Sequence, residues 1–315
     1  MFLDDLKFVI QSIPGKGMGV VAVRPIAKGE EVLSEAPLFT QKLARNKLTI
    51  LHSLASKTAD EKRQFLELTN CHRQNRKIHP FLGIFETNAL PCGNNGMGEI
   101  APAAGLFLQG SRFNSSCVPN VNNYWSEEKQ VITFRAIKGI TEGEELCISY
   151  KLGFEPRDSR RAQLQKGFGF ECHCAACSQL GDKLLTSNLR RVALRGLYGE
   201  IALCGNKPAE GIQNVKSALR LLQKEGLVLY EDTFSYDAFQ FCVVTSDLIH
   251  AKAWIQKAWE AVCIISGEDS TAAIKFKRYM DHPKTHPSWG KGRMMTLEGP
   301  DEVSGDAAHG AAIEL

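Results

Sequence analysis

The sequence predicts an α+β protein: a β-rich domain carrying a helical insert, followed by a helical C-terminal domain. Two observations predict it. Short β-branched runs separated by glycine turns occupy the start of the chain and the stretch from 130 to 150. Apolar residues at helical spacing occupy almost everything after residue 183. A third observation, the cysteine cluster between residues 172 and 177, marks the join.

The elements follow in order. "VVAVRPI" and "EEVLSEAPLF" read as strands split by the "AKGE" turn, where Gly29 supplies a permissive backbone. Leu48, Leu51 and Leu54, then Phe65, Leu66 and Leu68, shift the period to helical, and "KTADEKRQF" carries an N-terminal cap. "LPCGNNGMGE", residues 90–99, is a glycine- and asparagine-rich loop. "QVITFRAI" and "EELCISY" return to strand, joined by "KGITEG". Farther on, Ile212, Val215, Leu219 and Leu222 form one helical stripe, and Ala251, Trp254, Ile255, Ala258, Trp259 and Val262 form another. "FQFCVVTSDLIHAKAWIQKAWEA" resembles a tetratricopeptide helix pair, but three regular repeats cannot be counted, so a plain bundle accommodates it equally. From 281 to 315 the composition drifts to His, Pro, Gly, Ser and Ala, which predicts a disordered tail.

Net charge is only +3, and no block of five or six basic residues occurs, so no nucleic-acid-binding tail is expected. Asp4 and Asp5 interrupt the apolar N-terminus, which excludes a secretory signal, and no run is long and apolar enough to span a membrane. The expected location is therefore the nucleus, the cytoplasm or both. In a reducing compartment, cysteines serve as buried small residues, metal ligands or reactive thiols rather than disulfides.

"FGFECHCAACS" holds Cys172, Cys174 and Cys177, a spacing at which thiolates wrap one tetrahedral zinc ion. A structural site needs a fourth ligand. His173, Cys117, Cys92, Cys71 and His72 are the candidates. Cys117 lies in "SRFNSSCVPN", residues 111–120, which is too polar for a core strand and too rich in chemistry for an idle loop.

Three segments occur in a fixed order: "GKGMGVVAVRPIAKGEEV", "SRFNSSCVPNV" and "GEELCISYKLGFEPRDSRRAQLQKGFGFECHCAAC". Together they resemble the SET domain of protein lysine methyltransferases, and the third is especially similar to the SET-and-MYND subfamily and its fungal relatives. The resemblance covers roughly residues 8–178. It implies a SET-type β-clip fold over 1–150 with a variable helical insert at about 45–110, a zinc-binding post-SET segment at 151–180, and the α-helical, TPR-like domain at 181–280. The "NSSC" and "ISY" segments would thread past each other as a pseudoknot. The MYND finger of that subfamily has no matching Cys/His array in the insert.

By the same resemblance the cofactor is S-adenosylmethionine. Lys16, Gly17 and Met18 would line its amino-acid end and adenine. Asn114 would hold its amine, and the Ser115 backbone would reach the adenine. Asn88 would make a further contact and Phe170 would stack on the ring. Cys117, Cys172, Cys174 and Cys177 would be the zinc ligands. Phe168 and Leu90 would line the lysine channel. Tyr150 would be catalytic and would also face the cofactor. Asn120, after Pro119, reads as a structural turn and strand-entry residue. The substrate would be a protein or peptide lysine, a histone tail among the options, and the enzyme is expected to be a monomer. One departure stands out: the family's usual Asn-His-Ser-Cys has Ser115 in place of the histidine. That change predicts weaker cofactor binding or slower turnover than histidine would give. It also motivates an alternative, a catalytically weak or inactive SET-fold binding or regulatory module.

Overall fold

The computed structural model describes residues 6–93, 100–151 and 153–301. The second half of the expected 90–99 loop and the last fourteen residues of the expected tail lie outside the described residues. The chain forms two compact units: one holds the residues before 153 together with Arg160–Cys177, and the other holds Gly153–Ser159 and the chain from Ser178 onward.

The first unit is built from three small sheets. Strands β1 (Phe8–Ile13) and β2 (Gly17–Ala22) form a hairpin in full register, from Phe8 opposite Ala22 to Ile13 opposite Gly17. Strand β3 is Glu31–Glu35 and β4 is Phe39–Lys42. The insert supplies helices α1 (Lys47–Ala55), α2 (Ala59–Leu66) and α3 (Pro80–Asn88). The expected cap before α2 is present, since Thr58 and Glu61 form a reciprocal capping box. The insert is not helical to its end: β5 (Leu90–Cys92) and β6 (Ala103–Leu106) pair with each other, and β6 pairs with β4. Strands β7 (Asn114–Ser115), β8 (Val121–Ser126), β9 (Val131–Ala136) and β10 (Glu145–Ile148) complete the unit. The sheet orders are β1-β2-β10-β7, β3-β9-β8 and β4-β6-β5.

Alternation along β9 buries Ile132, Phe134 and Ala136. They join Val20, Phe107, Phe113, Leu146 and Ile148 in one core, where the Phe113 and Phe134 rings stack at 4.3 Å. Full burial of such side chains contributes about 1.5–3 kcal/mol each. The insert has its own core, in which Ile50, Leu54, Phe65 and Phe85 pack on Phe39 and Leu106.

The expected threading is present. Strand β7 runs parallel to β10, with Asn114 opposite Cys147 and Ser115 opposite Ile148, and the Ser116 N–H donates to the Ile148 carbonyl at 2.8 Å. Asn120 locks this crossing. Its buried amide donates to Glu144 Oε1 at 2.8 Å and to the Glu145 carbonyl at 2.9 Å, and its oxygen accepts the Cys147 N–H at 2.8 Å. It is structural, as the sequence suggests: it stands in a bend directly before β8 and also clamps the crossing.

After α4 (Arg157–Phe168), the second unit contains α5 (Gly181–Leu203), α6 (Pro208–Glu225), α7 (Glu231–Val244), α8 (Leu248–Ser266) and α9 (Thr271–Asp281). Each of these five packs on its neighbour in sequence, an arrangement common to tetratricopeptide arrays and plain bundles. The α8 stripe is buried at Ala251, Trp254, Ile255, Ala258 and Val262. None of the described helices is long and apolar enough to cross a membrane.

The expectation of a disordered tail from 281 is corrected for residues up to 301. The Gly290 and Gly292 N–H groups donate to the Val243 and Val244 carbonyls, and Trp254 Nε1 donates to the Glu298 carbonyl at 2.8 Å. Composition underestimates this segment because a few specific contacts order it: its N–H groups reach carbonyls at the end of α7, Leu297 is buried, and Glu298 meets Gln213 and Lys216.

The Asn120 clamp is testable. Asn120→Ala leaves the buried Cys147 N–H without its acceptor and should lower stability by about 1–3 kcal/mol. The expected urea transition moves to lower concentration with an unchanged slope.

Candidate active site and metal centre

The β1–β2 turn begins the site. Gly15 and Gly17 have φ of 72° and 79°, in the left-handed region that favours glycine. They leave Lys16, Gly17 and Met18 exposed at the hairpin end. Gly19 serves a different need. A Cβ there would lie 2.7 Å from Asn114 Nδ2 and 2.5 Å from an Ile13 side-chain carbon, so only glycine lets β2 pass this close to Asn114. Asn114 Nδ2 donates to the Met18 carbonyl at 3.3 Å and to Glu145 Oε1 at 2.9 Å. Lys16 Nζ donates to the other Glu145 oxygen. Burial works against the Lys16 charge, but the hydrogen bond and charge of Glu145 prevail and raise its pKa. Three segments far apart in sequence thus meet around one carboxylate.

Tyr150 follows directly. Its hydroxyl donates to the Phe113 carbonyl at 2.9 Å, and its backbone N–H donates to Ser115 Oγ at 3.3 Å. Its ring lies 4.8 Å from Phe168 and 6.4 Å from Phe170. Burial, then the nearby Cys147 and Glu145, push the phenol pKa well above its usual value, so it stays neutral. Ser115 is buried and keeps a brace across the crossing, with one hydroxyl where an imidazole would offer two ring nitrogens.

The four thiols of Cys117, Cys172, Cys174 and Cys177 converge with every pair of sulfurs within 4.8 Å. Cys117 Sγ lies 3.6 Å from Cys177 Sγ and 4.0 Å from Cys172 Sγ. A tetrahedral ion at about 2.3 Å from each sulfur sets sulfurs about 3.8 Å apart, so the set fits one metal ion. Hydrogen bonds from Cys117, Cys172 and the third thiol lower the Cys174 pKa. The buried Arg160 reaches Cys177 Sγ at 3.6 Å, a cation beside a group that gathers negative charge on binding metal. Arg161 holds the Cys172 and Cys177 carbonyls at 3.1 and 2.9 Å. Tyr150, Phe168 and Phe170 pack against this cluster.

Residues 16–151 match the SET domain family. Across 282 residues the chain is 30% identical to the histone-lysine N-methyltransferase set5 of Schizosaccharomyces pombe, covering 89% of this chain and 85% of that protein. The chain belongs to the SET-domain lysine methyltransferase family. Shorter stretches are similar to the protein-lysine N-trimethyltransferase SMYD5 of Danio rerio, at 40% identity over 89 residues, 27% of this chain and 21% of the relative. A SET and MYND domain-containing protein of Dictyostelium discoideum is 39% identical over 74 residues, 23% of this chain and 14% of the relative.

Within this SET domain the structure brings Lys16, Gly17, Met18 and Asn114 together, and joins Tyr150 to Ser115 and to Phe170. Asn88 is placed differently. Its side-chain nitrogen donates to the Thr69 and Ile84 carbonyls, both at 2.6 Å, so its amide hydrogens serve the insert. Leu90 packs against the first core. The other proposed fourth ligands stand outside the four-thiol group: Cys71 contacts Thr87 Oγ1 at 3.2 Å, and burial raises the Cys92 pKa to about 12. Sequence reading missed Glu145 and Arg160. The signal for Glu145 was available, a charged residue at the head of the otherwise apolar strand "ELCI".

SET-domain protein purified without chelator should carry one metal ion per chain by elemental analysis. Cys174→Ser should abolish it, whereas Cys71→Ser should leave it unchanged.

Proposed function

We propose that this protein is an S-adenosylmethionine-dependent protein-lysine methyltransferase whose SET domain is stabilised by a structural zinc ion. The observation that carries the reading is the junction of Asn114, Ser115 and Tyr150 at one strand crossing, with the β1–β2 glycine turn on one side and the four-thiol cluster on the other.

When bound, S-adenosylmethionine would supply a sulfonium methyl for direct displacement by a neutral lysine amine, with S-adenosylhomocysteine as the leaving group. The residues present suit that molecule. Lys16 offers a cation for its carboxylate, the Asn114 oxygen offers an acceptor for its amine, and Phe170 offers an aromatic face for adenine. Cys117, Cys172, Cys174 and Cys177 would hold the zinc, whose part is to fix the segment bearing Phe168 and Phe170.

The chain's own contribution is placement. Tyr150 is neutral and hydrogen-bonded through the Phe113 carbonyl, so its hydroxyl oxygen has a fixed position from which to orient an amine. The rings of Phe168 and Tyr150, 4.8 Å apart, offer a wall along which a lysine side chain could lie, and the positive sulfonium of a bound cofactor would favour the neutral, nucleophilic amine over the ammonium. The lysine proton leaves to solvent before attack, and no carboxylate base is required beside the nitrogen. Holding amine and methyl in line supplies much of the rate. The alternative, a catalytically weak or inactive module, draws on Ser115 in place of histidine; the Tyr150 N–H bond that Ser115 Oγ accepts supports the active reading by keeping one brace across the crossing.

The substrate is a lysine in a protein. The histone-lysine designation of the Schizosaccharomyces pombe relative makes core histones the first candidates, with non-histone proteins second. Incubation with radiolabelled S-adenosylmethionine, core histones and a mixed protein extract should label lysine. Tyr150→Phe should cut the rate on the order of 100-fold while cofactor affinity stays within about twofold. Undiminished labelling by Tyr150→Phe would remove Tyr150 from the chemistry, and absence of saturable cofactor binding would overturn the proposal.

A further inference from the structure

Glu145 has no role in the reading so far, yet it touches two of the residues assigned to the cofactor. Its side chain is 18% exposed and leaves the head of β10 toward the β1–β2 turn. One oxygen accepts from Asn114 Nδ2 at 2.9 Å and the other accepts from Lys16 Nζ. The second Asn114 amide hydrogen goes to the Met18 carbonyl at 3.3 Å.

These contacts fix which way the Asn114 amide faces. Both hydrogens meet acceptors, and a flipped amide would set its oxygen against a carboxylate and a carbonyl. Asn114 Oδ1 accepts no hydrogen bond among the described residues, so it is the atom left for an incoming cationic amine. Lys16 spends one of its three donors on Glu145 and keeps two for a carboxylate. An acceptor and a donor of opposite preference therefore stand on either side of Glu145, which matches the zwitterionic end of an amino acid. Gly19 makes room for the arrangement, since a Cβ there would also lie 3.2 Å from Glu145 Oε1.

We propose that Glu145 is a positioning residue for the amino-acid end of the cofactor: it holds the Asn114 amide oxygen outward and anchors Lys16 beside it. The proposal rests on the cofactor reading above.

The test compares S-adenosylmethionine with 5′-methylthioadenosine, which has the adenosine but lacks the amino-acid end, by titration calorimetry on the full chain. Glu145→Ala should weaken S-adenosylmethionine about tenfold or more and leave 5′-methylthioadenosine within about twofold. Glu145→Gln should lose less, because its amide oxygen can still accept from Asn114. Equal weakening of both ligands by Glu145→Ala would make the role merely structural and overturn the proposal, as would no change in either. A loss in Glu145→Gln as large as in Glu145→Ala would overturn it in favour of a direct charge contact with the amine. Wild-type protein that binds neither ligand would overturn the cofactor reading itself, and this inference with it.

Discussion

A parallel pairing of two residues against two, Asn114–Ser115 on Cys147–Ile148, is too short to hold itself. Each hydrogen bond contributes about 0.5–1.5 kcal/mol net, less than the cost of ordering the segments that meet there. The crossing persists because other groups enforce it. Asn120 takes three partners on Glu144, Glu145 and Cys147, Ser115 holds the Tyr150 N–H, and Ser116 reaches the Ile148 carbonyl. Beneath it, Phe113, Leu146 and Ile148 are fully or almost fully buried. Lys16, Asn114, Ser115 and Tyr150 are held by contacts to this crossing.

The cysteine cluster extends the same constraint. Cys117 belongs to the loop that follows β7, and Cys172, Cys174 and Cys177 belong to a segment some 55–60 residues later. A shared metal would tie the second to the first without a disulfide. The gain is local order in a segment with little regular structure, which Phe170 precedes by two residues; Phe170 and Phe168, the last residue of α4, both stand beside Tyr150. Arg160 and Arg161 add charge balance and carbonyl contacts from α4.

The helical unit is organised by a different rule. Its helices bury apolar stripes against sequence neighbours, and a strap of later residues closes over the end of α7. Asp247 serves both tasks: it caps α8 through the His250 N–H and accepts the Leu297 N–H at 2.7 Å. Within the same unit the buried Glu225 meets the buried Arg191 Nε at 3.2 Å and the partly exposed Arg190 at 3.5 Å. Removing either member of the buried pair would leave an uncompensated charge in the interior.

The sequence by itself determined the α+β class, the position of the helical insert, the cap at Thr58, the helical stripes of the second unit, and the family, because periodicity, capping and motif order are local properties of the chain. It also named Cys172, Cys174 and Cys177, which are close in sequence, while Cys117 needed a family resemblance to single it out from several candidates. Tertiary structure alone decided the rest. It put Glu145 between Lys16 and Asn114, turned Asn88 toward the insert, made Asn120 a clamp and gave Ser115 a partner. It also ordered residues 282–301, whose composition carries no sign of packing. The physical reason is the same in each case: a hydrogen bond between residues 19 to 129 positions apart leaves no trace in local composition, and its partners are set only when the strands and helices that carry them have met.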